Sequence, residues 1–232
     1  VSFPKLARYI QGKSKKLAVL YVNNDFGKGG QATIKQLLAT GPTQIVAEIP
    51  TESGQVDFSA AVIQAKQSGA DALFAYTNEE ESARLLRELR KQNWNKPIIG
   101  ETVLTSAKVV ELAGEAANGA VAHVGLTVEA PQLQAFGRRY QAEFKTVSDH
   151  NGVKGYTAVY VLKAAIEKAG KVDRKAAAAA IRNSCFSAKQ HPGILMDVCF
   201  DDKGDIDRDS FITEIRNGKT VVAETLPPLN KK

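Results

Sequence analysis

Residues 17–38 read LAVLYV, NNDFGKGG and QATIKQLL in succession. An apolar run of strand length meets a polar, glycine-containing turn, and a helix near 29–39 follows, with Gly41 as its stop. The unit then recurs. Residues 45–49, 72–76, 97–100 and 120–126 are further short apolar runs, separated by amphipathic segments of helical period. Asp57 precedes Phe58, Ala61, Val62 and Ala65, the i, i+3, i+4, i+7 face of a helix. Asn78 precedes Glu79, Glu80 and Glu81, whose charge suits the start of a helix, and Leu85, Leu86 and Leu89 form the stripe behind them. Thr105 or Ser106 opens another helix, closed near Gly114. Such a β-α-β-α-β-α-β-α-β series predicts an α/β fold, a parallel doubly wound sheet covered on both faces. Right-handed crossovers put every strand C-terminus on one edge. Asn23 to Gly27, Thr77 to Glu79, and Glu101 with Thr102 are therefore expected to share the edge where ligands bind in such sheets.

The second half differs. Pro131 suits the first turn of a helix with Leu133, Phe136, Tyr140 and Phe144 on one face. Residues 155–169 form another helix, with Tyr156, Val159 and Tyr160 inward, and Asp173 caps a third that is rich in alanine. No parallel strand falls among them. Residues 194–200 read as a strand, 201–204 as a turn and 210–216 as an alternating strand. Asn217-Gly218 is a strong type I′ hairpin signal before a last strand over 220–224. These shifts divide the chain into an α/β lobe (1–127), a helical stretch (128–192) and a C-terminal part with strands and a hairpin (193–232).

Composition excludes several roles. The net charge is +6, but most lysines are scattered, and Arg84, Arg87 and Arg90 share a helix with four glutamates, so nucleic acid is not an expected partner. No apolar stretch approaches the roughly 20 residues of a membrane span, and no signal peptide is visible at Val-Ser-Phe-Pro-Lys-Leu. His123, His150 and His191 lie far apart, so no metal site is expected. Cys185 and Cys199 fit no CxxC pattern and leave two readings open, a disulfide in an oxidising compartment or two buried thiols.

Local motifs announce no chemistry. Gly27-Lys28-Gly29-Gly30 has the look of a dinucleotide loop, but the fingerprint fails at Ala32 and no phosphate loop is present; glycines easing a turn into a helix explain it better. Asp205, Asp207 and Asp209 alternate like a calcium loop, yet Ser210 and Arg216 occupy the positions that need Gly and Glu. There is no G-x-S-x-G elbow and no H-E-x-x-H motif, so nothing argues for an enzyme or a cofactor. The strand-edge set remains. Phe26 is an aromatic in a polar turn, able to stack on a ligand or to pack beneath the loop. Thr77 and Asn78 offer a hydroxyl, an amide and free N–H groups at a helix start, suited to a carboxylate or to plain capping. Glu101 follows a strand end and could pair with a ligand ammonium group. Tyr76 and Tyr156 read as structural.

Jointly, LAVLYVNNDFGKGG, GQVDFSAAVIQAK (54–66), SGADALF (68–74), PIIG (97–100), AGEAANGA (113–120), GYTAVY (155–160) and FDDKGD (200–205) closely resemble type I periplasmic binding proteins, and within them the branched-chain amino-acid group serving ABC transporters. The resemblance covers nearly the whole chain. It implies a two-lobed, non-catalytic protein, periplasmic, that closes on a small molecule, an amino acid or an aromatic or aliphatic carboxylate, and delivers it to a membrane permease. A sensor domain of the same fold is the alternative. The chain matches the second lobe from its first strand, while the first lobe's sheet, with the loop that usually holds the ligand's α-carboxylate, has no counterpart; the helices of 128–192 are those that normally pack on it. The resemblance makes Phe26, Thr77, Asn78, Glu79 and Glu101 the ligand-binding candidates: Phe26 stands where the group often has an aromatic, Asn78 and Glu79 stand near another frequent contact, and Glu101 lies beside the position of an acidic residue that binds the ammonium group.

Overall fold

The computed structural model describes residues 2–229. In chain order the elements are α1 (Ser2–Lys13), β1 (Lys16–Val22), α2 (Asp25–Leu38), β2 (Gln44–Thr51), α3 (Ser59–Gln67), β3 (Ala72–Tyr76), α4 (Glu79–Lys91), β4 (Ile98–Glu101), α5 (Ala107–Ala113) and β5 (Ala120–Val124). Then come α6 (Gln134–Phe144), α7 (His150–Ala169), α8 (Arg174–Ile181), β6 (Cys185–Phe186), β7 (Val198–Phe200), β8 (Ile206–Asp207), β9 (Ser210–Arg216) and β10 (Lys219–Leu226). They form two compact units, one of Ser2–Val124 with Ile212–Glu224, the other centred on Gly125–Phe211.

The first unit is built on a seven-stranded sheet in the order β10-β9-β5-β4-β3-β1-β2. β1 pairs in parallel with both β2 and β3, β3 with β4, and β4 with β5. The fold class expected from the alternating pattern is therefore observed. Within the parallel strands the order reverses between β1 and β3, and ligands of open α/β sheets bind at the carboxyl ends of the strands flanking such a reversal. The strands read as apolar runs because both faces are covered: all five residues from Leu17 to Val22 other than Tyr21 are buried. Leu17, Val19, Ala72, Phe74 and Ile99 meet Ile34 and Leu38 of α2.

Helix α1 went unread in the sequence. Leu6, Ala7 and Ile10 place one face of it in the same core, fully or almost fully buried. Asp71 ties its end to the sheet, accepting from Ser14 Oγ at 2.6 Å and from the N–H groups of Lys15 and Lys16. At the other edge β9 is fixed to β5 by the Gly119 N–H on the Ile215 carbonyl (2.8 Å) and by the Thr213 hydroxyl, which donates to the Ala122 carbonyl at 3.3 Å and also meets Thr105 Oγ1, in the turn after β4, at 2.7 Å. Asn217 and Gly218 both have positive φ, 49° and 71°, as the expected two-residue turn between β9 and β10 requires.

In the second unit Asp149 caps α7 through the Gly152 N–H (2.9 Å), so this helix starts at His150, earlier than the periodicity suggested. Its inward face is also rotated from the expected one. Val153, Thr157, Val161, Ala164 and Ala165 are buried, Tyr156 and Tyr160 are half-buried, and Val159 is 65% exposed. Asp173 caps α8 as expected. The strand anticipated over 194–200 shortens to β7, which pairs antiparallel with β6 and β8. Cys185 and Cys199 stand opposite each other in that ladder, Cα atoms 4.0 Å apart, and are joined by a disulfide. No helix among the described residues is long and apolar enough to cross a membrane.

Candidate functional site

The loop after β1 is tighter than the sequence suggested. Asn24 caps α2, its Oδ1 accepting the Gly27 N–H at 3.0 Å, so the helix begins at Asp25. Gly27 lies directly on the end of β1: a Cβ there would fall 1.7 Å from the Val22 carbonyl oxygen. Phe26 thus sits in the first helical turn, its backbone fixed. The glycines are not interchangeable turn residues. Gly27 and Gly30 are sites of close approach, whereas Gly29 has nothing within 4 Å of a Cβ.

Gly30 faces Tyr76, the last residue of β3. A Cβ at Gly30 would come 2.1 Å from Tyr76 Cε1, so the phenol ring lies against the helix backbone where no side chain intervenes. Phe26, one turn earlier on the same face of α2, stacks on that ring with centroids 4.3 Å apart and planes 20° off parallel. Phe3 of α1 meets Tyr76 edge-on at 5.7 Å. Phe26 is 44% exposed. The alternatives of stacking outward and packing inward are both partly realised: Tyr76 covers one part of the ring and the rest is open.

The β3–α4 junction carries Thr77, Asn78 and Glu79. Thr77 is buried, its hydroxyl 2.8 Å from Ser82 Oγ. Asn78 occupies the N-cap position of α4 but makes no side-chain cap; its Nδ2 donates instead to Glu81 Oε1 at 3.1 Å. That oxygen also accepts the Gly54 N–H at 2.8 Å, which draws the loop after β2 against the start of α4. Burial pushes the Glu81 carboxyl up, but the Gly54 N–H and the Asn78 amide outweigh it and hold the group below the usual glutamate range. Glu79 is exposed to solvent.

Glu101, at the end of β4, pairs in register with His123 of β5. Its Oε1 lies 3.3 Å from His123 Nδ1, and its Oε2 accepts the Thr102 N–H and hydroxyl, both at 2.8 Å. His123 is fully buried and the Glu101 side chain is 19% exposed. Burial raises the Glu101 carboxyl; the His123 and Thr102 hydrogen bonds lower it, and the balance falls below the ordinary value. Tyr76 lies in reach of this charge. Burial first and Glu101 second push its phenol up to about 12, so the ring stays neutral.

Tyr76 therefore links the sequence-expected Phe26 and Glu101, although the sequence had marked it as structural. In the sequence His123 reads only as an isolated histidine and Glu81 only as charge at a helix start. The one available signal was Gly30, a glycine inside a helix four residues after an aromatic, which marks a close backbone approach. The surface so formed has aromatic faces, amides and carboxylates but no nucleophile held by a base, and no metal-holding group of acidic, His and Cys side chains occurs among the described residues.

Residues 2–220 match the family model described as periplasmic binding protein. The chain belongs to this family. Its relatives include the Leu/Ile/Val-binding protein BraC3 of Rhizobium johnstonii, 29% identical over 91% of this chain and 57% of that protein. Among solved structures, a leucine binding protein LivK from Thermotoga maritima superposes with a TM-score of 0.81 at 22% identity, over 98% of this chain and 65% of that one. A solute binding protein of an ABC transporter from R. palustris, in complex with benzoate, gives 0.79 at 20% identity, over 98% and 63%. The fold expected from the motifs is thus the fold found. This periplasmic binding protein chain spans about half the length of the curated relatives it matches.

Proposed function

We propose that this chain is part of an extracytoplasmic solute-binding protein of an ABC importer, and that the ends of β1, β3 and β4 form one wall of its ligand site. The observation that carries this reading is the Phe26 ring, stacked on Tyr76 at the strand-order reversal and still 44% exposed. An aromatic held open at that place has little use except against a ligand. Phe26 would contact the apolar part of a small amino acid or related carboxylate. Thr77, Asn78 and Glu79 would line the start of α4, where backbone N–H groups favour a carboxylate. Glu101, anchored by His123 and Thr102, would meet a ligand ammonium group with its remaining lone pairs.

The chemistry is closure rather than catalysis. A ligand that contacts two lobes binds the closed state better than the open one, and this difference in affinity drives the shift. The membrane permease would read the closed shape. The opposing wall would come from the half of a relative's length that this chain does not span, and the exposed Val159 and Leu162 of α7 would pack against that lobe. Three facts support the reading: the family, the solutes named for its relatives, and the Cys185–Cys199 disulfide, which suits an oxidising compartment.

Thermal-shift screening of the intact protein against amino acids and aromatic acids tests it. A ligand at a hundredfold excess over Kd stabilises by about 2.7 kcal/mol, which is readily seen. No shift with any compound of either class would sink the proposal.

A further inference from the structure

Tyr76 is held from several sides. Phe26 stacks on it at 4.3 Å, Phe74 lies at 5.8 Å with planes 20° apart, and Phe3 meets it edge-on. The α2 backbone at Gly30 closes on it so nearly that no Cβ fits between them. A ring held this way has one available plane. Phe26, in the first turn of α2 and 44% exposed, has Tyr76 as its stacking partner.

We propose that Tyr76 is a positioning residue for ligand binding: it fixes the plane of Phe26, so that a single ring face is offered to the ligand before the ligand arrives. The proposal rests on the reading of Phe26 as part of a ligand wall. A pre-oriented ring spares the complex the loss of side-chain freedom, about 0.5–1.5 kcal/mol for one immobilised side chain. Removing the support should therefore weaken binding roughly threefold to tenfold. Neither Gly30 nor Tyr76 touches the ligand in this scheme; both act through Phe26.

The test uses the intact protein labelled with 4-fluorophenylalanine, the Phe26 resonance being assigned with Phe26→Leu. L-leucine and benzoate are the binding probes, titrated calorimetrically where every variant is folded. Tyr76→Leu is expected to move the Phe26 fluorine resonance and to raise Kd about threefold to tenfold, and Tyr76→Phe, which keeps the flat ring, to restore both. Gly30→Ala, which pushes the ring without removing it, should move the same resonance and weaken binding, and it serves as the decisive variant if Tyr76→Leu does not fold. An unmoved resonance, or an unchanged Kd in a variant of a protein that binds either probe, overturns the positioning role and leaves the solute-binding reading standing. If the wild type binds neither probe nor any other amino or aromatic acid, the solute-binding reading falls, and the ligand role of Tyr76 falls with it.

Discussion

Two glycines two residues apart in α2 should respond to the same substitution with opposite signs. Gly27→Ala places a Cβ 1.7 Å from the Val22 carbonyl oxygen and 2.7 Å from its carbonyl carbon. Both atoms are backbone at the end of β1, a strand paired on both sides, so no side-chain rotation relieves the clash. The first turn of α2 must retreat by roughly 1.5 Å or more to reach an ordinary non-bonded separation. Overpacking of this kind costs about 1–3 kcal/mol. The retreat also strains the Asn24 cap on the Gly27 N–H, a contact of about 1 kcal/mol. Against these stands a gain of about 1 kcal/mol from replacing Gly by Ala in a helix. The net is a loss of roughly 2 kcal/mol. Gly29→Ala meets nothing within 4 Å and keeps only the gain, so it should stabilise by about 0.5–1 kcal/mol. The two variants have identical composition, yet their stabilities should differ by about 3 kcal/mol, or more than 1 M in urea midpoint. Trp94 is the single tryptophan, is 3% exposed and lies in the same unit, so its fluorescence follows the transition. Equal midpoints, or a higher midpoint for Gly27→Ala, would refute the close-approach account of the glycine cluster.

Other consequences are simpler to read. Phe26→Ala removes the stack on Tyr76 and with it a ring that is only about half buried, so it should lower stability by about 1–2 kcal/mol in the same urea assay while weakening ligand binding about tenfold by calorimetry. Cys185→Ser with Cys199→Ser opens a loop of sequence separation 14, worth about 3 kcal/mol, and hydrogen exchange at β7 and β8 should quicken accordingly. Glu81 has a lowered carboxyl in the folded state, so the unfolded chain binds the proton first as pH falls; the stability this contributes is complete above the usual glutamate range and is lost as pH drops through the folded value. Glu81→Gln should flatten that acid limb in urea midpoints taken from pH 6 to about 3. Tyr76 has the opposite sign. With its phenol raised to about 12, the folded state keeps a proton that the unfolded state loses, so stability should fall as pH rises above 10, and Tyr76→Phe should remove that fall.

The strands were legible because a sheet covered on both faces demands continuous apolar runs, as in β3, while β9 showed as an alternating pattern, and both lie where those patterns put them. Helix ends were less legible. Asn24 and Asp149 cap helices that start several residues before the apolar periodicity becomes visible, because a cap needs one side-chain oxygen and no hydrophobic neighbour. The facing of α7 departs from the expected one because its aromatics do not mark the inward side. The inward stripe is Val153, Thr157, Val161, Ala164 and Ala165 at helical spacing, which turns Val159 outward. The strand-end rule names candidates for the site, and the structure sets them at or just past the ends of β1, β3 and β4. The rule reached Phe26, Thr77, Asn78, Glu79 and Glu101, but not His123, which enters only through register with Glu101 across β4 and β5. Pairing between strands 22 residues apart leaves no local trace in a sequence.

The same non-local geometry gives the aromatic wall its character. A ring carried on a loop is only as ordered as the loop. Phe26 is carried on a capped helical turn, and its support comes from a residue in the parallel sheet next to the strand that feeds that turn. β1 and β3 are in register at Tyr21 and Tyr76, so the end of β3 is fixed relative to the end of β1 by backbone hydrogen bonds alone. Gly30 then puts no side chain of its own between the α2 backbone and that strand end. Any change that slides α2 along β1 therefore moves Phe26 and disturbs its stack together, and stability and ligand affinity should be coupled at Gly27 and Gly30 but separable at Glu79, which is exposed and bears on neither contact.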